Sequence, residues 1–210
     1  MNRKVAFGLI NYHSPIVERI QSCVLPTIAH YPDWTFELIC VDNDPTPSRQ
    51  LLDFLGTMTV PVKYLWNGGA NLMAAASTNQ LYALTSSHFL VYVCANHGRM
   101  FDPTWLEDLL HPFHRPRIAM SGTLLKFPLD SIGEGSGTCA YIQGGVFAAR
   151  VELLRKHPLT DRFPHGHCDE WISWELLRNG YGLANVPTVV SLWRTSPPPD
   201  LSFKFVHGAE

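Results

Sequence analysis

Four short polar stretches carry side chains of the kind that bind and react: Asn11-Tyr12-His13-Ser14, Asp42-Asn43-Asp44, Asn96-His97-Gly98 and His165-Gly166-His167-Cys168-Asp169-Glu170. A carboxylate such as Asp42 accepts a hydrogen bond from an imide N–H, the group that a uracil or thymine ring presents; within Asp-Asn-Asp-Pro the same residue is also an ordinary turn former. Asp169 and Glu170 are adjacent acids. They suit general-base work toward a hydroxyl, and equally the first turn of a helix, where the dipole favours negative charge. His165 and His167 flank a glycine, a spacing open to a metal ion and equally to plain loop polarity. His111 and His114, beside Pro112, read as a solvated helix end. Cys168 reads as a packed thiol, and Asn67-Gly68-Gly69 as a turn whose backbone N–H groups can also face an anion.

Each stretch needs an element to hold it. The apolar runs Val5 to Ile10, Phe36 to Val41, Val62 to Trp66 and Phe89 to Ala95 read as buried strands, and the first three polar stretches follow three of them. Between them lie helical patterns. Ser14 to Ile28 has Ser14 as cap, Pro15 at the first helical position and Pro26 as an expected stop or kink. Pro47 to Leu55, Ala70 to Thr85 and Asp102 to Leu110 follow, the last capped by Asp102 with Trp105 in the core. Ile118 to Gly122 and Tyr141 to Ala149 are strands on either side of a Gly/Ser-rich loop, Ser131 to Gly137. Arg150 to His157 and Asp169 to Asn179 are helices, the second ending at Gly180. Gly182 to Pro187 and Val189 to Trp193 are extended. Such alternation predicts an α/β fold, a mostly parallel central sheet flanked by helices, with ligands at the carboxyl ends of the strands.

With 210 residues, 46% of them hydrophobic, the chain can bury one sizeable core. A net charge of −2 gives no basic stripe for nucleic acid. The five cysteines show no CxxC spacing and fit reduced thiols, hence a cytoplasmic setting. No apolar run is long enough to span a bilayer, so membrane contact is expected only as a peripheral one at the inner face.

The ordered segments FGLINYHSP, ELICVDNDPT, NGGANLMAAASTNQ, FLVYVCANHGRMFDPTWLEDL, YIQGGVFAAR and CDEWISWELLRNGYGLANVP resemble the family-2-type inverting glycosyltransferases of GT-A fold, over residues 4 to 194. The resemblance implies a Rossmann-like domain over residues 1–195 and a Pro-rich tail over 196–210. It implies transfer of a sugar, of hexosyltransferase type, from a nucleotide-diphosphate sugar (UDP or dTDP favoured) to an acceptor hydroxyl with inversion. Asp42 matches the acid that holds the nucleobase, and Asn11 and Tyr12, with Asn43, fall in the base- and ribose-lining loops. Asn71 and Asn79 match asparagines near the nucleotide edge. Gly144 and Gly145 match small residues beside the sugar and acceptor pocket, with Trp171 toward the acceptor. Asp169 falls on the catalytic base, followed by Glu170.

The chain departs from that family where a metal is held. The Asp-x-Asp triplet is replaced by Asn96-His97-Gly98, and the histidine after the last strand by Trp193, followed by Arg194. Hard cations prefer carboxylate oxygens. The sequence therefore predicts no required cofactor, or a weakly used divalent cation (Mn or Mg), with Arg194, Arg99 or His97 meeting the diphosphate charge. A competing expectation rebuilds the site on His97, His165 and His167 for a softer metal. The acceptor is open among glycan, lipid-linked and small-molecule classes, with the tail and the Ser131 to Gly137 loop as candidate lids. A homodimer is compatible with the composition. Two other functions stand beside this one: a catalytically silent nucleotide- or partner-binding module, favoured by the lost metal ligands, and a nucleotidyltransferase, disfavoured because Asn11-Tyr12-His13-Ser14 has no glycine or basic residue.

Overall fold

The computed structural model describes residues 4–94, 104–163 and 166–186. Seven strands form one sheet: β1 (Lys4–Asn11), β2 (Thr35–Asp42), β3 (Val62–Trp66), β4 (Phe89–Val93), β5 (Ile118–Pro128), β6 (Thr138–Arg150) and β7 (Gly182–Asn185), in the order β3-β2-β1-β4-β6-β5-β7. Only β6 runs against its neighbours β4 and β5; the other pairs are parallel. The helices are α1 (Ile16–Arg19), α2 (Leu25–His30), α3 (Arg49–Leu55), α4 (Met73–Leu84), α5 (Trp105–Leu110), α6 (Val151–Lys156) and α7 (Cys168–Arg178). This is the expected α/β fold, a mostly parallel central sheet flanked by helices.

Alternation along β1 divides the core between the two faces of the sheet. Val5, Phe7 and Leu9 pack with Ile16, Ile20, Leu51, Trp105 and Leu106. Ala6 joins Ile39, Val41, Leu81, Leu90, Ile172 and Leu176 on the other side. Successive strand side chains point to opposite faces, so one buried strand feeds both clusters.

Three local expectations are corrected. Pro26 does not stop its helix: a π-helical turn over Ile20–Val24 joins α1 to α2, and the helix runs on to His30. The wider turn accommodates the hydrogen bond that proline cannot donate, and Thr27 Oγ1 donates to Cys23 O at 2.7 Å. Ser14 does not cap α1. Its hydroxyl donates to Asn11 Oδ1 at 2.9 Å, and Pro15 takes the N-cap position. The strands around the Ser131 to Gly137 loop are longer than their apolar runs and form an antiparallel pair from Met120↔Ala149 to Pro128↔Thr138. Trp105 is buried, as expected, and its Nε1 donates to Thr27 Oγ1 at 2.9 Å. No helix among the described residues is long and apolar enough to cross a membrane. The tail over 196–210, Val189 to Trp193 and the Asp102 cap lie outside the described residues.

Candidate functional site

Parallel register sets Asn11 beside Asp42, and Asp42 beside Trp66, so the ends of β1, β2 and β3 form one row. Asn11 Nδ2 donates to Asp42 Oδ1 at 2.9 Å and to Asp44 Oδ2 at 2.8 Å. The Asp44 N–H returns to Asp42 Oδ1 at 3.0 Å, and the Tyr64 hydroxyl donates to Asp42 Oδ2 at 2.6 Å. Asp42 is completely buried, with both oxygens occupied. Burial first, and then the Asp42 carboxylate it donates to, push the Tyr64 hydroxyl well above its ordinary range.

Asp44 is the more accessible acid of the two. Its side chain is 15% exposed; Oδ1 accepts the His13 N–H at 2.6 Å and lies 3.4 Å from His13 Nδ1. Exposed Tyr12 and Trp66 rim this cluster, Trp66 donating from Nε1 to Asp44 O at 3.0 Å. Behind it, Asn43 Nδ2 donates to Ser77 Oγ at 2.8 Å, while Asn67 Nδ2 donates to Asn43 Oδ1 at 2.7 Å and exchanges amide hydrogen bonds with Gln80. Gly69 folds this turn against the Asp44-Pro45 loop. It has φ +83, and a Cβ there would stand 2.9 Å from Pro45 O, so both the conformation and the close approach require glycine.

Two asparagines assigned to the same edge have other contacts. Asn71 Oδ1 accepts the Met73 N–H at 3.0 Å, steadying the start of α4. Asn79 bonds both backbone groups of Leu159, donating to its carbonyl at 2.9 Å and accepting its N–H at 2.9 Å.

The second half of the site grows from a break in the β5–β6 ladder. Pairing jumps from Gly122↔Phe147 to Leu124↔Ile142, so Thr123 stands against residues 143–146. This bulge carries Gly144 and Gly145. The Gly145 carbonyl accepts the Cys94 N–H at 2.8 Å, tying the bulge to the carboxyl end of β4. The Gly144 N–H donates to Asp169 Oδ2 at 2.8 Å. One helical turn on, Ser173 Oγ accepts the Ile142 N–H at 3.0 Å. Asp169 and Ser173 lie four residues apart on one face of α7 and fasten it to β6.

Beside Asp169, His167 occupies the N-cap position of α7 with φ 59, and its Nδ1 lies 2.7 Å from Glu170 Oε2. Burial, followed by the fields of Asp169 and Glu170, pushes the Tyr141 hydroxyl upward. Trp171 packs in an aromatic run with Phe163 (5.7 Å) and Trp174 (5.1 Å), under the Arg162 guanidinium at 5.7 Å. Asn96, His97, Gly98, His165 and Arg194 lie outside the described residues. Among the described residues no group of three His, Cys, Asp or Glu is arranged to hold a metal ion.

Several contributors were not singled out from sequence. Tyr64 and Trp66 enter the site through the β2–β3 register, and Ser173 through the packing of α7. Local sequence carries no signal for either. Asp44 is the exception, since it stands in the same Asp-Asn-Asp turn as Asp42.

No protein-family profile and no curated protein sequence matches the chain. Its fold does match solved structures. A mannosyltransferase from Pyrobaculum calidifontis, in complex with GDP-Man and Mn2+, superposes with a TM-score of 0.73 at 14% identity, over 95% of this chain and 59% of that one. Glucosyl-3-phosphoglycerate synthase from Mycobacterium tuberculosis, in complex with Mn2+, UDP and phosphoglyceric acid, gives a TM-score of 0.65 at 16% identity, over 93% and 72%. The chain thus spans under two thirds of the mannosyltransferase. At these identities the likeness is one of fold.

Proposed function

We propose that the protein is a glycosyltransferase that moves a sugar from a nucleotide-diphosphate sugar to an acceptor hydroxyl, with inversion. One relationship carries the reading. The Asn11–Asp42–Asp44 cluster at the ends of β1 and β2 and the Asp169–Glu170 turn at the β6 bulge belong to one sheet edge. Three strand spacings, β2 to β1 to β4 to β6, separate them, or about 14 Å. An extended nucleoside-diphosphate sugar covers that separation, with its base at the first cluster and its anomeric carbon before the second. Both solved neighbours carry a nucleotide or nucleotide sugar in their complexes, which supports a nucleotide-sugar donor here.

Within this reading Asp42 fixes the two loops, and Asp44, Tyr12 and Trp66 offer the surface that a base meets. Asn43 supports that surface from below. Asn71 and Asn79 serve the start and the packing of α4. Gly144 and Gly145 leave the sugar room before the bulge, and the first turn of α7 receives the acceptor's proton. Transfer through one displacement breaks the anomeric C–O bond to the diphosphate as the acceptor oxygen attacks from the opposite face.

The solved neighbours hold Mn2+. The donor set of this chain does not fit that ion in the usual way, because Asn96-His97-Gly98 supplies no carboxylate. Cationic side chains meet the leaving charge in this reading, with Arg194 as the first candidate.

Calorimetric titration with UDP, dTDP, GDP and CDP, in EDTA and then in Mn2+, tests the reading. EDTA-insensitive binding of one nucleotide, weakened at least tenfold by Asp44→Ala, is the expected result. Binding only with Mn2+ would restore a metal to the site. A chain that binds none of the four would be a silent module on this fold.

A further inference from the structure

His167 is a non-glycine residue at φ 59, in the left-handed region, an uncommon conformation that clusters at functional sites. The Trp171 N–H donates to its carbonyl at 2.8 Å, closing the first turn of α7 on it. Its Nδ1 lies 2.7 Å from Glu170 Oε2. A carboxylate only accepts, so Nδ1 carries the hydrogen of that contact, and in the neutral ring Nε2 is the basic nitrogen. The imidazole is 30% exposed and the Glu170 side chain 15%: the ring is reachable, and its orienting carboxylate is largely shielded. Asp169, two residues on, has Oδ2 committed to the Gly144 N–H at 2.8 Å, which ties this carboxylate to the β6 bulge.

We propose that His167, oriented by Glu170, takes the proton of the acceptor hydroxyl, and that Asp169 is a positioning residue that seats this turn on the β6 bulge. The assignment rests on the glycosyl-transfer reading above. The acceptor O–H bond breaks and its proton goes to Nε2. The oxygen forms the new bond to the anomeric carbon, and the electron pair of the old C–O bond leaves with the nucleoside diphosphate. A carboxylate that fixes the imidazole tautomer and stabilises the imidazolium is the division of labour known from hydrolytic triads. Among the described residues, the groups around the turn include Asp169 and Glu170 on α7 and Tyr141 on β6. The Phe163 ring lies 6.1 Å from the imidazole and carries the Arg162 guanidinium at 5.1 Å.

Long-range proton–nitrogen NMR of the full chain reads the tautomer directly. The expected result is the Nδ1–H form in the native protein and a shift toward Nε2–H in Glu170→Ala. Hydrolysis of UDP-glucose and GDP-mannose, with water as acceptor, reads the chemistry. His167→Ala should lose about 10²-fold or more in rate while keeping the nucleotide Kd, with partial rescue by added imidazole. Asp169→Asn, whose amide oxygen still accepts from Gly144, should stay within about tenfold and keep the native pH profile. An Nε2–H ring in the native protein, a His167→Ala variant at the native rate, or a native protein no faster than buffer would each overturn the proposal. Failure of every nucleotide to bind would instead sink the glycosyl-transfer reading, and the tautomer measurement would still report on the His167–Glu170 pair.

Discussion

Asp169 and Gly144 touch across the β6 bulge, where the carboxylate accepts the glycine N–H at 2.8 Å and a Cβ on residue 144 would stand 3.2 Å from the same oxygen. The absence of a side chain at 144 therefore decides where the first turn of α7 lies. Gly144→Ala should push Asp169 back by a few tenths of an ångström and carry His167 and Glu170 with it. Misplacement on that scale is costly to a reaction that depends on aligned groups. The expected outcome is about a tenfold fall in donor turnover, with a change in Tm of only a few degrees. Equal kinetics for the variant and the native chain would show that the bulge does not position the turn.

Asp42 and Asp44 make separable predictions. Asp42 has no exposed surface and receives hydrogen bonds from Asn11, Tyr64 and the Asp44 backbone. Asp42→Ala leaves those donors unsatisfied, at about 1–3 kcal/mol for each that water does not reach. It should lower stability by about 3 kcal/mol and weaken nucleotide binding as a consequence. Asp44→Ala, at a partly exposed position, should cost about 1 kcal/mol or less and weaken binding directly. Urea denaturation and calorimetry on the same two variants check this. Direct binding by Asp42 would instead appear as a folded Asp42→Asn protein of native stability that binds no nucleotide.

Much of this fold was legible because buried parallel strands are uninterrupted apolar runs. Val62–Trp66 has the bounds its pattern predicted, and Phe89–Val93 lies within its predicted run. The acids at the end of β2 and the start of α7 were legible as residue types. Their partners were not. Tyr64 reaches Asp42 only through the pairing of Asp42 with Trp66, and parallel register has no local signature. The β6 bulge was hidden because Gly144-Gly145 also reads as ordinary strand glycine. The left-handed His167 was hidden because nothing in its own residue type demands that conformation. Pro26 misled for a different reason: a missing donor predicts a helix end, and a π turn is the less common way to absorb it.

Ser173 is fully buried and accepts the Ile142 N–H at 3.0 Å. Ser173→Ala removes that acceptor from an apolar setting, and the orphaned N–H costs about 1–3 kcal/mol. The same change loosens α7 one turn beyond Asp169. Stability should fall by about 2 kcal/mol in urea, and exchange of the Ile142 amide should speed up more than that of Ala148 in the same strand. Uniform acceleration along β6 would point to global destabilisation rather than to a lost clamp.

Glu37 lies 2% exposed in β2 and accepts from Thr85 Oγ1 (2.7 Å), Ser86 N (2.8 Å) and Oγ (3.0 Å), and Ser87 Oγ (2.6 Å), with Lys63 Nζ at 3.0 Å. Burial alone would raise its pKa; the hydrogen bonds from Ser87, Thr85, Lys63 and Ser86 outweigh it and hold the carboxyl down to about 2, against an ordinary 4.5. The folded value lies below the unfolded one, so the contribution to stability is fully present above about pH 4.5 and is lost as pH falls through about 2. The difference corresponds to about 3 kcal/mol. Glu37→Gln should therefore lower stability at pH 7 by about that amount and flatten the dependence of unfolding free energy on pH between 4.5 and 2. Because Glu37 stands near the amino end of its strand, nucleotide affinity at pH 7 should be unchanged. A variant with the native acid slope would place the titrating carboxylate elsewhere.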